Sequence, residues 1–173
     1  MLELVQSFDD YVLHAFVVSR ADVPTAVLKA VSFFGEWYIL LPLAAIIAFL
    51  LFRRGFLVQA TELAYVVVGT SLAVVAIKFL VARPRPPEEL RLVYEASYSF
   101  PSWHAALAIA LWGYLAYFAL KHLQSRVWRI AVVFGAAFII LATDIGRLYL
   151  GVHYASDVLA GTLLGGLILL FAL

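Results

Sequence analysis

Apolar and polar positions alternate along this chain on the scale of whole helices. Long apolar stretches occupy residues 37–52, 56–81, 102–120, 130–145 and 155–173, each close to the ~20 residues a helix needs to cross a hydrocarbon core. Charges bound these stretches more than they interrupt them. Arg53 and Arg54 close the first, and within the second only Glu62 and Lys78 are charged, near its two ends. Residues 83–99, RPRPPEELRLVYEASYS, form the one long polar connection. Its Pro84, Pro86 and Pro87 prevent a helix from continuing through its start. Upstream, Leu4, Val5, Phe8, Val12, Leu13, Phe16 and Val17 recur at helical spacing beside Glu3, Asp9, Asp10 and His14. That mixture predicts an amphipathic helix over residues 3–19, either lying at the interface or crossing, with Asp9 and Asp10 expensive in hydrocarbon. Arg20, Asp22 and Pro24 mark a break, and a short helix follows from about Pro24 to Phe34. The pattern predicts an all-α polytopic integral membrane helix bundle with five to six transmembrane helices. It forms a single membrane domain over residues 1–173, with 1–34 as the N-terminal amphipathic segment or first span and 35–173 as the core.

Composition agrees and narrows the classes of partner. Hydrophobic residues make up 65% of the 173 and charged residues 13%, where average globular chains sit near 45–50% and roughly 25%. Mean hydropathy is +1.01. No length remains for a separate soluble domain, and the expected environment is a lipid bilayer. A net charge of +1 supplies no bulk attraction for nucleic acid, so no nucleic-acid partner is expected. With no cysteine, disulfides and thiolate chemistry are absent. The N-terminus carries acids early and lacks both a basic region and a small-residue cleavage site, so it does not read as a signal peptide.

The turns give the bundle a direction. Consecutive spans reverse, so 53–55 and 121–129 share one side while 82–101 and 146–154 share the other. The first side holds Arg53, Arg54, Lys121, Arg126 and Arg129. Apart from Arg85 and Arg147, the second holds only Arg83 and Arg91. The positive-inside rule makes the first side cytoplasmic and the second outward.

Three groups of reactive side chains fall on that outward side. Lys78 is followed after six residues by Arg85-Pro86. Ser102, Trp103 and His104 open a helix behind Pro101, where free N–H groups and the helix dipole favour an anion and Ser102 adds a hydroxyl. In GRLYLGVHYASD, residues 146–157, Arg147 precedes His153 by six positions and Asp157 follows His153 by four. If the chain is helical from His153 onward, Asp157 lies one turn away on the same face and can hold the His153 tautomer and raise the basicity of its opposite nitrogen, making a nucleophile or base. Arg147 suits an anion with several oxygens. Together the groups match phosphoryl transfer, which needs cations and N–H donors for the oxygens, a nucleophile, and an acid for the leaving group. No carboxylate cluster suited to Mg²⁺ or Zn²⁺ is visible in the chain order, so a metal-free route is expected.

In this order and spacing, K78-FLVARP-RP, PSWH at 101–104 and GR-LYLGV-H-YAS-D at 146–157 resemble the motifs K-x6-RP, PSGH and SR-x5-H-x3-D. These belong to the membrane-bound type-2 phosphatidic acid phosphatases, which are related to vanadium haloperoxidases. The resemblance covers the chain from about Gly35 onward. It implies that His153 attacks phosphorus to form a phospho-histidine, oriented by Asp157, and that His104 protonates the leaving oxygen and then activates water. It implies that Lys78, Arg85, Ser102, Arg147 and a backbone N–H near Trp103 bind the phosphate oxygens, with no metal or other cofactor. Two positions depart from the pattern. Trp103 stands for the usual Gly, where a requirement for positive φ would strain it, and Gly146 stands for Ser, removing a hydroxyl.

The expected activity is therefore hydrolysis of a lipid phosphate or diphosphate at the outer face. Undecaprenyl diphosphate heads the candidates, followed by phosphatidylglycerol phosphate and phosphatidic acid. A lipid phosphotransferase using the same site and a non-enzymatic lipid-phosphate carrier are the alternatives. The compact chain suggests a prokaryotic plasma membrane with the site on the extracytoplasmic side, and its pattern specifies no oligomeric state. Asp144, three residues before Arg147, reads equally as an ion-pair partner or a solvated helix end. Glu62 shows no partner, and Tyr94, Tyr98, Tyr149, Trp37 and Trp128 read as interfacial belt residues.

Overall fold

A computed structural model describes residues 2–173. Among the described residues the regular structure is helical: α1 (Leu2–Val18), α2 (Asp22–Phe34), α3 (Trp37–Arg53), α4 (Leu57–Val81), α5 (Trp103–His122), α6 (Arg126–Tyr149) and α7 (Ala155–Ala172). One 3₁₀ turn, Glu88–Leu90, interrupts the α4–α5 connection. Helices α4 to α7 are each long and apolar enough to cross a membrane, and α3 is a shorter apolar helix of 17 residues.

The apolar stretches mark the part of each helix suited to hydrocarbon, and some helices continue beyond it. Helix α6 begins inside the basic turn and runs to Tyr149, so Arg147 sits in its last turn and not in a loop. Helix α4 ends at Ala82, whose left-handed conformation (φ 48°) lets its N–H bond the Lys78 carbonyl at 2.9 Å. The chain then turns back over the helix end. At the start of α5, Ser102 caps the helix by accepting from the Ala105 N–H at 3.4 Å. At the start of α7, Asp157 accepts from the Tyr154 N–H at 2.9 Å.

Helix α5 lies at the centre, packed against α3, α4, α6 and α7. Its Ala105, Ala106, Ala108 and Ala110 are fully buried, and α7 meets this face through Gly161 and Gly165. A side chain at Gly161 would run into the backbone oxygen of Ser102, and one at Gly165 into that of Ala106. Lipid tails are as apolar as leucine, so close backbone approach through small residues is what holds such helices together. Gly161→Val is expected to push α7 off α5 and lower stability by roughly 1–3 kcal/mol. Thermal unfolding in detergent would read this directly.

The N-terminal segment lies across one end of the bundle. Gln6 and Asp9 bond Arg83, just beyond the end of α4. Arg20, just past the other end of α1, bonds the Tyr149 carbonyl at 2.8 Å, at the end of α6. Residues 6 and 18 are about 18 Å apart along a helix axis, yet both flanks are tied to the same end of the bundle. Asp9 is thus accommodated by being fully buried against polar partners at that end. This removes the sixth span and leaves α3 to α7 as the membrane bundle. Tyr149 is also not a belt residue. It is buried, and its hydroxyl accepts from the Ala21 N–H at 3.0 Å and meets Thr25 at 2.9 Å, joining α2 to α6.

Candidate active site

The same end of the bundle collects the ends of α4 and α6 and the starts of α5 and α7. His153, in the α6–α7 turn, is 1% exposed. Its Nδ1 lies 3.4 Å from Asp157 Oδ2 and 3.4 Å from Ser99 Oγ. Its Nε2 lies 3.2 Å from Arg85 Nη1. A guanidinium has only donors, so Nε2 is the accepting atom and the ring proton belongs on Nδ1, facing Asp157. Burial first, and then the positive charges of Arg85, Arg147, Lys78 and His104, hold His153 well below its ordinary pKa. It is therefore a neutral imidazole near pH 7, with its free lone pair on Nε2. Arg85 is anchored by the Ser97 carbonyl at 2.6 Å and the Val152 carbonyl at 2.8 Å. Burial lowers its pKa to about 10, which still leaves it charged.

Opposite His153, Arg147 is fully buried and donates to two carboxylates, Glu36 Oε1 at 3.3 Å and Glu95 Oε1. Glu36 also reaches His104 Nε2 at 2.9 Å, and Glu95 reaches Arg85 Nη2 at 3.5 Å. Burial raises the Glu36 pKa, but the His104 hydrogen bond and the charges of His104 and Arg147 outweigh it, so the group sits below the ordinary carboxylate value. Lys78 is 4% exposed and donates to the carbonyls of Tyr98 and Ser99, holding the loop that carries Ser99. Lys78, Arg85, Glu95, Trp103, His104 and His153 all line one cavity of about 400 Å³. It adjoins a second of about 660 Å³, whose wall includes Val75, Phe79 and Tyr98. The Trp103 Nε1, His104 Nδ1 and Arg147 Nε atoms are buried with no protein partner among the described residues. A polyanion brought here would meet several N–H donors in a site of low dielectric.

The PAP2 superfamily model matches residues 59–173. Over 173 residues the chain is 36% identical to phosphatidylglycerophosphatase B of Bacillus subtilis, covering 98% of this chain and 82% of that protein. The chain belongs to the PAP2 superfamily. Its fold matches the crystal structure of a transmembrane PAP2-type phosphatidylglycerolphosphate phosphatase from Bacillus subtilis with a TM-score of 0.89. Identity there is 32%, over 98% of this chain and 84% of that one. Aquifex aeolicus LpxE shares the fold, with a TM-score of 0.73 at 23% identity over 95% and 93% of the two chains. This PAP2 protein is an integral membrane lipid phosphatase, a hydrolase whose substrate class is lipid phosphates.

The phosphatase brings most of the residues singled out from its sequence together. Lys78, Arg85, Trp103, His104 and His153 share the cavity, with Asp157 directly behind His153 and Arg147 against Glu95. Ser102 is placed differently. It is fully buried, its hydroxyl caps α5, its N–H bonds the Asp157 carbonyl at 2.9 Å, and it does not line the cavity. The hydroxyl beside the His153 imidazole is that of Ser99, which donates to Asp157 Oδ2. Trp103 takes an ordinary helical conformation with negative φ. Its ring stacks on Trp37 with centroids 6.2 Å apart and planes 9° apart, walling the cavity. A side chain at Gly146 would meet the Ser32 hydroxyl of α2 at 2.5 Å, so this residue faces α2.

Other side groups depart from the sequence reading. Asp144 pairs with Thr162 Oγ1 at 3.0 Å and not with Arg147. Glu62 accepts from the Tyr114 hydroxyl at 3.0 Å. Glu36, Glu95 and His104 do form a cluster of metal-ligand type, with ligand atoms within 4.8 Å of one another. The expectation that no such cluster exists is thus corrected in three dimensions, although Arg147 already pairs with both carboxylates. Sequence reading missed Glu36 because it lies far from the motifs in the chain, and Glu95 because it sits at no motif position in the polar connection between the first two. The local signal for Glu36 was an acidic residue just before an apolar stretch; Glu95 carried none beyond its place in the polar connection.

Proposed function

We propose that this lipid phosphatase works through a phospho-histidine on His153. The observation that carries the reading is the division of labour around its ring, with Nδ1 facing Asp157 and Nε2 facing the cationic cavity. Nε2 attacks phosphorus and the bond from phosphorus to the lipid oxygen breaks. A proton from His104 goes to that departing oxygen. Water then attacks the phospho-histidine, His104 takes its proton, the phosphorus–nitrogen bond breaks, and inorganic phosphate leaves. Lys78, Arg85, Arg147 and the N–H groups at the start of α5 stabilise the oxygens, whose charge grows in the transition state. Asp157 stabilises the imidazole as it gains positive character.

Similarity to a phosphatidylglycerophosphatase moves phosphatidylglycerol phosphate ahead of undecaprenyl diphosphate and phosphatidic acid as the substrate. The basic turns lie at the opposite end from the site, and by the positive-inside rule this supports an extracytoplasmic site. The test is incubation with a radiolabelled lipid phosphate followed by an acid quench or an alkaline quench. Label bound to protein that survives alkali and is lost in acid is the expected phospho-histidine. Phosphate release with no labelled protein at any time, even under rapid quench, would count against it.

Glu36 and Glu95 hold the groups that an incoming phosphate needs. Glu95→Gln removes one competing charge from Arg147 and Arg85 and is expected to tighten competitive inhibition by orthovanadate about tenfold. Weaker inhibition would mean that Glu95 assists the bound anion.

A further inference from the structure

The strongest polar network outside the cavity lies behind His153 and reaches into the N-terminal helix. We infer that Asp9 and Arg83 are positioning residues of the reaction, with Asp9 holding Arg83, Arg83 holding Asp157, and Asp157 holding the reactive imidazole. The inference rests on the reading of His153 as nucleophile. Arg83 fills only an unspecified position of K-x6-RP, and Asp9 lies outside the three motifs and outside the segment matched to the PAP2 superfamily.

The geometry supports a relay of fixed charges. Arg83 Nη1 donates to Asp157 Oδ1 at 2.7 Å, while Nη2 donates to Asp9 Oδ2 at 2.8 Å. Both carboxylates are fully buried, and Arg83 keeps only 18% of its side-chain exposure. The guanidinium also donates to Ser156 Oγ at 2.7 Å and Gln6 Oε1 at 3.1 Å, and it lies 4.2 Å from the centre of the Tyr154 ring. Asp9 Oδ1 accepts from the Ser156 N–H at 2.8 Å, which pins α1 to the first turn of α7. Asp157 therefore has Oδ1 committed to Arg83, and Oδ2 shared among Ser99, the Tyr154 N–H and His153 Nδ1.

Such a chain sets how much negative charge the imidazole feels. Asp9, Arg83 and Asp157 together carry one net negative charge, with Asp157 nearest the ring and Asp9 farthest. The other charged or titratable groups around His153 are Arg85, Lys78 from α4, Arg147 from α6 and His104 from α5. Glu36 and Glu95 lie beyond Arg147 and are untouched by changes at residues 9 and 83. Neutralising Asp9 leaves Arg83 to offset Asp157 alone, which makes His153 less basic. Neutralising Arg83 unmasks Asp157 and makes His153 more basic. The two substitutions should therefore act in opposite directions, which loss of a structural tie would not do.

The experiment measures kcat and KM for a short-chain lipid phosphate from about pH 4 to 8 in the full-length parent, Asp9→Asn, Arg83→Gln and the double variant. Relative to the parent, the acid limb of kcat is expected to move down by about half a pH unit in Asp9→Asn and up by a similar amount in Arg83→Gln. KM should change by less than about twofold in Asp9→Asn. In the double variant the limb is expected above that of Asp9→Asn alone. Limbs that stay at the parental pH, or move the same way in both single variants, would overturn the inference. If Asp9→Asn fails to fold, an unmoved limb in Arg83→Gln overturns it alone. Should the parent release no phosphate, it is the phosphatase reading that fails, and the two failures remain separate.

Discussion

His153→Ala is expected to cut phosphate release from a lipid phosphate by about 10⁴-fold or more, with the protein still folded. The size follows from the role proposed for Nε2. A missing nucleophile removes the covalent route itself, and what remains is the smaller acceleration that binding and electrostatic stabilisation supply to direct attack by water. Stability should change much less than activity. His153 makes only long contacts of 3.2 to 3.4 Å, and the α7 cap formed by Asp157 does not depend on it. Labelling should disappear with the rate. A His153→Ala protein that hydrolyses within tenfold of the parent would place the chemistry on another group, and His104 would then be the residue to examine. The pH dependence carries a sign. Because His153 is held below its ordinary pKa, its neutral form persists as pH falls below 6.5. Its contribution to the acid limb should therefore lie below that value. A His153-dependent limb above pH 6.5 would contradict the buried, cation-ringed environment.

Arg147→Met is expected to damage both activity and stability. Arg147 is fully buried and is the one group that touches both Glu36 and Glu95 among the described contacts. Removing it leaves two carboxylates facing each other near His104, and it deletes a donor for the phosphate oxygens. Loss of a preorganised donor of this kind costs about 10²–10³ in kcat. The stability cost should stay below about 3 kcal/mol, because Glu36 and Glu95 keep a partial path to water while fully buried partners would not. Arg147→Lys should retain the fold but recover little rate, since an ammonium cannot reproduce two divergent guanidinium contacts. Unfolding in detergent and steady-state kinetics separate the two effects. Full activity in Arg147→Met would remove Arg147 from the site.

Local patterns in the chain revealed the spans and their boundaries to within a few residues, and singled out three groups of side chains that the fold brings to one end, because helix periodicity and short motifs are local properties. His153 and Asp157 are four residues apart, and they do meet, but through the turn before α7, which starts only at Ala155, and not as neighbours on one helix face. Contacts that join distant segments were not legible. Glu36 is 68 positions from His104, and Asp9 is 74 from Arg83. Asp9 read as a cost of insertion and Glu36 drew no reading, until the fold placed partners beside them. Ser102 and Ser99 show the same limit at short range. Both lie near His104 in sequence, but the cap of α5 takes the Ser102 hydroxyl, and the loop held by Lys78 delivers Ser99 to Asp157.

By itself, the sequence determined that this is a membrane helix bundle whose Lys78, Arg85, Arg147, His104 and His153 fall at one end, and the spacing of its motifs pointed to phosphoryl transfer. Only the tertiary structure decided that α1 lies across the bundle, that Trp103 walls the cavity against Trp37, and that carboxylates from two distant segments engage Arg147. The physical reason is that hydrophobic periodicity and one-turn spacings are written into neighbouring residues. The cost of burying a charge, by contrast, is settled by whichever partner the fold brings within hydrogen-bond reach.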